Sequence, residues 1–165
     1  VRQILESTPR DDVQLEPIDA AEILHRTIDL AEHRMKSDGI ELQVDLQAGL
    51  ILLGSSHELG QAFLNLVLNA CDAMPDGGRL GIGAVAENGQ VVIEFSDSGE
   101  GIPEEERQRV FELFYTTKSG HGGSGLGLGM VHNIVTGHGG TIAVREADDG
   151  GALFVLRFPE ARGTG

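Results

Sequence analysis

The sequence predicts a single α+β domain in which helices and a sheet form a two-layer sandwich. Two stretches, 79–96 and 140–158, have the strand–turn–strand pattern of antiparallel hairpins. Three stretches, near 19–37, 61–74 and 126–136, have the periodicity of helices. Because strands and helices do not alternate as a series of βαβ units, a parallel doubly wound sheet is not expected.

Residues 14–160 are predicted to form this domain, preceded by a linker at 1–13 and followed by a tail at 161–165. The chain is long enough to bury a core. Its net charge of −14 argues against binding to nucleic acid or to an anionic membrane, because both need a basic surface. No signal peptide and no run of about 18 apolar residues is present. A cytoplasmic location is therefore expected, although the chain could be one module of a larger, membrane-bound protein.

Sequence signals also place the elements of the first half. Asp19 followed by Glu22 is a capping-box-like start for the first helix, and Ser55 or Ser56 can cap the second. The predicted elements are, in order, a strand at 14–18, a helix at 19–37, strands at 40–46 and 50–53, and a helix that includes 61–74.

The second half begins with a hairpin of strands 79–86 and 90–96, joined by Asn88-Gly89, a strong signal for a two-residue turn. A polar, glycine-rich segment at 116–124 has no periodicity and is long enough to be a mobile lid. The remaining predicted elements are a loop at 97–103, a short charged helix near 104–110, an aromatic cluster of Phe111, Phe114 and Tyr115, a helix at 126–136, and a hairpin of 140–146 with 152–158.

The most informative segment is the helix at 61–74, which is apolar almost all the way round except for one polar stripe. Residues of the stripe are three or four positions apart and therefore share one helix face. An unpaired amide on a buried helix costs about 1–3 kcal/mol. Two interpretations follow: the asparagines of the stripe tie the helix to a neighbouring element, or they bind a ligand or metal ion in a polar cavity. The stripe consists of Glu58, Gln61, Asn65, Asn69 and Asp72.

A first glycine-rich loop, from Asp97 to Pro103, directly follows a predicted buried strand. Gly99 and Gly101 allow the backbone to approach a flat ligand closely. Asp97 can accept a hydrogen bond from an exocyclic amine. An ordinary Asp-Gly turn would have the same local sequence, so this motif alone leaves both interpretations open.

A second glycine-rich loop, Gly120–Gly129, runs directly into a predicted helix and suits phosphate binding, because backbone N–H groups and the positive helix end point the same way. It matches the dinucleotide fingerprint literally, but it follows Thr-Lys-Ser instead of a strand. No Gly-Lys-Ser/Thr sequence of a P-loop is present. A flexible linker is the remaining alternative.

Four motifs occur in order along the chain: Asn65-x-x-x-Asn69, Asp97-x-Gly99-x-Gly101, Phe111-x-x-Phe114 with Thr116-Thr117-Lys118, and Gly123-x-Gly125-x-Gly127. Together they resemble the N, first glycine, F and second glycine boxes of the catalytic, ATP-binding domains of two-component sensor histidine kinases. The phrase Asn-Ala-Cys-Asp-Ala-Met is similar to the nitrogen-regulation type of these kinases. The resemblance covers about residues 14–160 and implies the Bergerat fold, a mixed, mostly antiparallel sheet packed on about three helices, with an ATP lid.

The resemblance implies ATP and Mg²⁺ as ligands. Asn69 would ligate Mg²⁺ through its amide oxygen, and Asn65 and Lys118 would act in catalysis near the phosphates. Asp97 would accept a hydrogen bond from the adenine N6 amine, and the two F-box phenylalanines would anchor the lid. The implied nucleotide-binding residues are Asn65, Asn69, Asp72, Asp97, Gly99, Gly101, Ile102, Thr117, Lys118, Gly123, Ser124, Gly125, Leu126, Gly127 and Leu128.

The sequence departs from related proteins at two positions of the N box. Many kinases of this class have a basic residue where this chain has Asp72, so Lys118 becomes the main cation expected at the phosphates. Related chaperone, gyrase and mismatch-repair ATPases have Glu where this chain has Asn65. Since an amide cannot serve as a general base, slow hydrolysis of ATP and transfer to a protein nucleophile are expected.

The family's phosphoacceptor motif, His-Glu/Asp-x-x-x-Pro, is not found in this sequence, because His57-Glu58 has no following Pro. The resemblance therefore implies that the partner is the dimerisation domain of a homodimeric parent kinase and, indirectly, the receiver domain of a response regulator. Two alternatives remain: a serine kinase that acts on an anti-sigma partner, and a nucleotide-binding regulatory module without catalysis. The F box, Thr-Thr-Lys and the long glycine lid favour the histidine kinase.

Overall fold

The computed structural model describes residues 14–112 and 127–161. Two short 3₁₀ turns lie near the end of the first range, at Glu104–Glu106 and Arg109–Phe111. Every other element is a strand or an α-helix. These are β1 (Glu16–Asp19), α1 (Ala20–Ser37), β2 (Ile40–Leu46), β3 (Ile51–Gly54), α2 (Ser56–Ala73), β4 (Gly78–Glu87), β5 (Gln90–Asp97), α3 (Gly127–Gly137), β6 (Thr141–Glu146) and β7 (Ala152–Pro159).

The main sheet has five strands in the order β2-β4-β5-β7-β6. β2 and β4 are parallel, and the other neighbours are antiparallel. β1 and β3 form a separate antiparallel pair. This mixed, mostly antiparallel sheet with three helices confirms the predicted α+β two-layer sandwich.

The hydrophobic core lies between the helices and one face of the main sheet. Alternate residues of the central strands point into it, as expected where one sheet face is covered. In α2, Phe63 is fully buried, and its ring centroid lies 5.9 Å from that of Phe95 in β5. The helix that carries the polar stripe is therefore fixed directly onto the middle of the sheet.

Both long helices begin at the capping residues that the sequence indicates. Asp19 accepts a hydrogen bond from the backbone N–H of Ala21 at 2.9 Å. The Ser55 hydroxyl accepts one from the N–H of Glu58 at 3.1 Å. These caps satisfy N–H groups that have no partner inside the helix.

The predicted helix near 104–110 is wrong. The structure has two 3₁₀ turns there, Glu104–Glu106 and Arg109–Phe111. Val110 is the one buried residue of 104–110, so the segment has no apolar face whose burial would stabilise an α-helix. The strands predicted at 14–18 and 50–53 form one or two residues later, as β1 and β3.

Within residues 14–112 and 127–161, no helix has both the length and the apolar composition to cross a membrane.

Candidate functional site

Asp97 ends β5 and is buried, with 6% of its surface exposed. Its Oδ1 accepts hydrogen bonds from the backbone N–H of Gly99 at 2.9 Å and of Ala152 at 3.2 Å. The first bond closes the turn after the strand, and the second joins that turn to the start of β7. The carboxylate is therefore held in one orientation by two elements that are 55 residues apart in sequence.

The loop around Asp97 is packed so closely that two glycines, Gly99 and Gly151, have no room for a side chain. A Cβ on Gly99 would lie 2.5 Å from the carbonyl oxygen of Ala73, at the end of α2. A Cβ on Gly151 would overlap both the backbone oxygen and Oδ1 of Asp97. Real Cβ atoms do not approach this closely, so both positions require glycine. The loop is thus clamped between α2 and the turn that precedes β7.

The rest of this loop is fixed by its backbone. Gly101 has a φ of +77° and lies against the backbone of Gly150. Ile102 is half-buried against the core, and its carbonyl oxygen accepts a hydrogen bond from Nε of Arg107 at 2.9 Å. The backbone of the loop that follows the buried carboxylate is therefore fixed from Gly99 to Ile102.

The two asparagines of α2 are half-buried, in contrast to the buried Ala62, Leu66 and Ala70 beside them. Neither amide forms a side-chain hydrogen bond to any residue in the described part of the chain. Within the described residues, therefore, no hydrogen bond of Asn65 or Asn69 ties α2 to a neighbouring element. Two half-buried amides one turn apart, without hydrogen-bond partners among residues 14–112 and 127–161, can bind a ligand.

Asp72 ends the stripe and has a different environment. Its Oδ1 lies 2.8 Å from Nη2 of Arg34 in α1, and Nε of the same guanidinium lies 2.6 Å from Oδ2 of Asp38. Hydrogen bonds to Asp72 and Asp38 raise the pKa of Arg34. Next to Asp72 on the buried side of α2, burial raises the pKa of the Cys71 thiol. The site thus ends at a charged bridge between α1 and α2.

Comparison with known proteins decides the family. Residues 54–162 match the family of histidine kinase-, DNA gyrase B- and HSP90-like ATPases. The chain belongs to this ATPase family. Over 139 residues it is 39% identical to the signal transduction histidine-protein kinase/phosphatase MprB of Mycolicibacterium smegmatis. The matched region covers 82% of this chain and 28% of MprB.

Solved structures agree on the fold. The catalytic domain of histidine kinase ThkA, in a nucleotide-free form, superposes with a TM-score of 0.83 at 25% identity, covering 90% of this chain and 97% of that one. Full-length ShkA in complex with AMPPNP has a TM-score of 0.81 at 28% identity, covering 93% of this chain and 33% of ShkA. The chain spans about a quarter to a third of the length of the curated relatives it matches.

The ATPase-family domain is thus an ATP-binding catalytic domain of the sensor histidine kinase type, which confirms the predicted family and the predicted kind of domain. The structure brings the residues of the N box and the first glycine box to one end of the sandwich through the contact between Gly99 and Ala73. Gly127 and Leu128 are the first two residues of α3 and are half-buried. The other predicted lid and phosphate residues lie outside the described ranges: Phe114, Tyr115, Thr116, Thr117, Lys118, Gly123, Ser124, Gly125 and Leu126.

Phe111 of the F box packs against two elements that follow it in the chain. Its ring centroid lies 5.7 Å from that of His132 in α3 and 6.2 Å from that of Phe154 in β7. Phe111 is therefore fixed against α3 and β7.

One residue of this ATPase-family domain that the sequence did not indicate as important is His138, at the end of α3. It is 8% exposed, and its Nε2 accepts a hydrogen bond from the N–H of Ser55 at 3.1 Å. With that tautomer, Nδ1–H donates to the carbonyl oxygen of Ile134 at 2.8 Å. His138 joins the C-terminal end of α3 to the cap of α2, and the only signal for it was a lone histidine before Gly-Gly at a helix end.

Proposed function

We propose that this domain binds Mg-ATP and transfers its γ-phosphoryl group to a histidine on a separate dimerisation domain. The observation that carries the proposal is the pair Asn65 and Asn69, two half-buried amides without partners in the described part of the chain. They lie on the helix whose end contacts the loop that holds the buried Asp97.

The adenine end of the proposed site is Asp97 with the loop through Ile102. A buried carboxylate fixed by two backbone N–H groups is suited to accept a hydrogen bond from the N6 amine of adenine. Gly99 and Gly101 beside it have no side chains, so a flat ring can approach the backbone there. Recognition of adenine by one charged acceptor would also reject guanine, which presents a carbonyl oxygen at the equivalent position.

The phosphate end of the proposed site is the face of α2 that carries the asparagines. Asn69 is the proposed Mg²⁺ ligand, because a hard cation prefers oxygen donors and because this amide has no other partner in the described ranges. When bound, the ion supplies neutralisation of charge on the phosphate oxygens. Asn65, one turn earlier, is proposed to hydrogen-bond to the phosphate chain. Lys118 and the backbone of 123–128 are proposed to complete this end.

Transfer to a protein is proposed over hydrolysis because of the chemistry of Asn65. A neutral amide cannot take a proton from an attacking water molecule. An imidazole nitrogen carries its own lone pair and attacks without a base. The proposed partners are therefore the dimerisation domain with its phosphoacceptor histidine and, after it, the receiver domain of a response regulator. Nucleotide binding is supported by full-length ShkA, whose structure is a complex with AMPPNP, and kinase activity by the histidine kinases that the chain resembles.

The decisive experiment mixes this chain with the separately purified dimerisation domain of its parent kinase, ATP labelled in the γ-phosphate, and Mg²⁺. The expected product is acid-labile, base-stable phosphate on the dimerisation domain alone. Acid-stable label on serine would favour the anti-sigma type of kinase. Tight ATP binding without transfer of labelled phosphate to any protein would favour a nucleotide-binding regulatory module without catalysis.

A further inference from the structure

Arg34 makes the single ion pair that joins two helices among the described residues. Its guanidinium bridges Asp38, at the end of its own helix, and Asp72 of α2. The other ion pairs of α1, Glu22 with Arg26 and Glu32 with Lys36, stay within one face of that helix. Arg34 therefore acts on the polar stripe of α2, whereas its neighbours on α1 do not.

The position of Asp72 gives this contact its significance. Residues three apart on a helix have their Cβ atoms about 5–6 Å from each other, so Asp72 lies one turn from Asn69. A free carboxylate at that distance would repel the phosphates of a nucleotide held at Asn69. The chain already has a net charge of −14, which adds to such repulsion.

Arg34 removes most of this repulsion in two ways. Its positive charge neutralises the Asp72 carboxylate directly. Its side chain is also anchored by Asp38, only 24% of whose side chain is exposed, and this anchor directs Asp72 toward α1. The hydrogen bonds to the two carboxylates raise the pKa of Arg34, so the charged form of the guanidinium is favoured further.

We propose that Arg34 is a positioning residue for the phosphate end: by binding and neutralising Asp72, it allows the N-box helix to accept a triphosphate. This inference rests on the proposed function, since it needs Mg-ATP at Asn69. It assigns to α1 the basic group that the N box of this chain lacks at position 72.

The alternative is an ion pair that serves only to fix α1 on α2. The side chains of Arg34 and Asp72 are 41% and 45% exposed. A pair with that exposure contributes little to stability, because water and salt screen it. A purely structural pair would change the affinities for ATP and ADP equally when it is broken.

The test compares affinities for Mg-ATP and Mg-ADP, measured by calorimetry on Arg34→Gln, Asp72→Asn and the double variant. Arg34→Gln is expected to weaken ATP binding about three- to tenfold and ADP binding about twofold, since ATP carries one more charged phosphate. The double variant should bind ATP more tightly than Arg34→Gln, because it removes the exposed carboxylate. At 1 M salt the difference between ATP and ADP should shrink.

Arg26→Gln is the matched control, because it breaks an exposed ion pair on the same helix away from α2. It should leave both affinities as in the wild type. An unchanged ratio of ATP to ADP affinity in Arg34→Gln, or no recovery in the double variant, would overturn the inference while leaving the proposed function intact. If the wild type itself fails to bind Mg-ATP, the proposed function is wrong and this inference with it. The double variant keeps the test valid if Arg34→Gln alone does not fold.

Discussion

The two ends of the candidate site are built by different means. The adenine end consists of backbone groups and glycines, clamped between α2 and the turn before β7, with one carboxylate fixed in their midst. The phosphate end consists of side chains on a helix face, with a charged bridge to α1 at its edge. The first end should tolerate no added atoms, whereas the second should tolerate changes of shape but respond to changes of charge.

The largest effect is expected where an atom is added to the adenine end. Gly151→Ala would place a methyl group onto Asp97, and relief of that overlap must displace the loop or β7. We expect the free energy of unfolding to fall by about 3 kcal/mol and ATP binding to be lost. Urea denaturation and calorimetry measure the two effects. Gly60→Ala is the control, because its Cβ would meet only Ile23 at 3.8 Å in a helix that favours alanine.

A change outside both ends separates stability from binding. His138→Ala leaves the N–H of Ser55 and the carbonyl of Ile134 without their side-chain partner and opens a gap beside Phe158. We expect a loss of about 2–3 kcal/mol in the free energy of unfolding. His25→Ala, at an exposed position of α1, should change it little. If the two variants are equally stable, His138 does not brace α2 against α3.

Asp97→Asn tests the buried charge at the adenine end. Asparagine keeps an oxygen that can accept from Gly99 and Ala152, so the loop should stay folded. The lost carboxylate should weaken ATP and ADP binding alike, by about 1.5–3 kcal/mol or roughly ten- to a hundredfold. Asp97→Ala should weaken them further. Glu94→Gln, an exposed change on the same strand, is the control, and unchanged affinity in Asp97→Asn would remove this residue from the site.

Asn69→Ala should have the smallest effect and a different signature. Its proposed partner is the metal ion, so ATP affinity should fall about fivefold with Mg²⁺ and hardly at all with excess chelator. Gln61→Ala, on the same stripe but exposed, should change neither value. An equal loss in both conditions would show that Asn69 does not act through a metal.

Local signals in the sequence were sufficient for most of the fold. Asn88 and Gly89 have φ values of 52° and 77°, which is the two-residue turn that their identities predict. The caps at Asp19 and Ser55 placed the starts of α1 and α2 correctly. Such signals act within a few residues, and the identity of the side chain alone determines them.

The contacts that shape the site were beyond sequence reasoning for a physical reason. Gly151 against Asp97, Arg34 with Asp72, and His138 with Ser55 all join distant parts of the chain. In the sequence, Gly151 is one of two adjacent glycines between predicted strands, and Arg34 is one of several charged residues in a predicted helix. Only tertiary packing decides which glycine meets a carboxylate and which arginine reaches a second helix.

The buried thiol of Cys71 makes the opening of α2 measurable by its rate of reaction with a thiol reagent. It is the single cysteine of the chain, it is fully buried on α2, and burial raises its pKa, so an added thiol reagent can react only when α2 leaves the core. The rate of labelling therefore counts openings of the helix that carries both asparagines. A nucleotide that binds only the closed form must lower the rate of Cys71 labelling in proportion to its occupancy. No label has to be attached to the site itself.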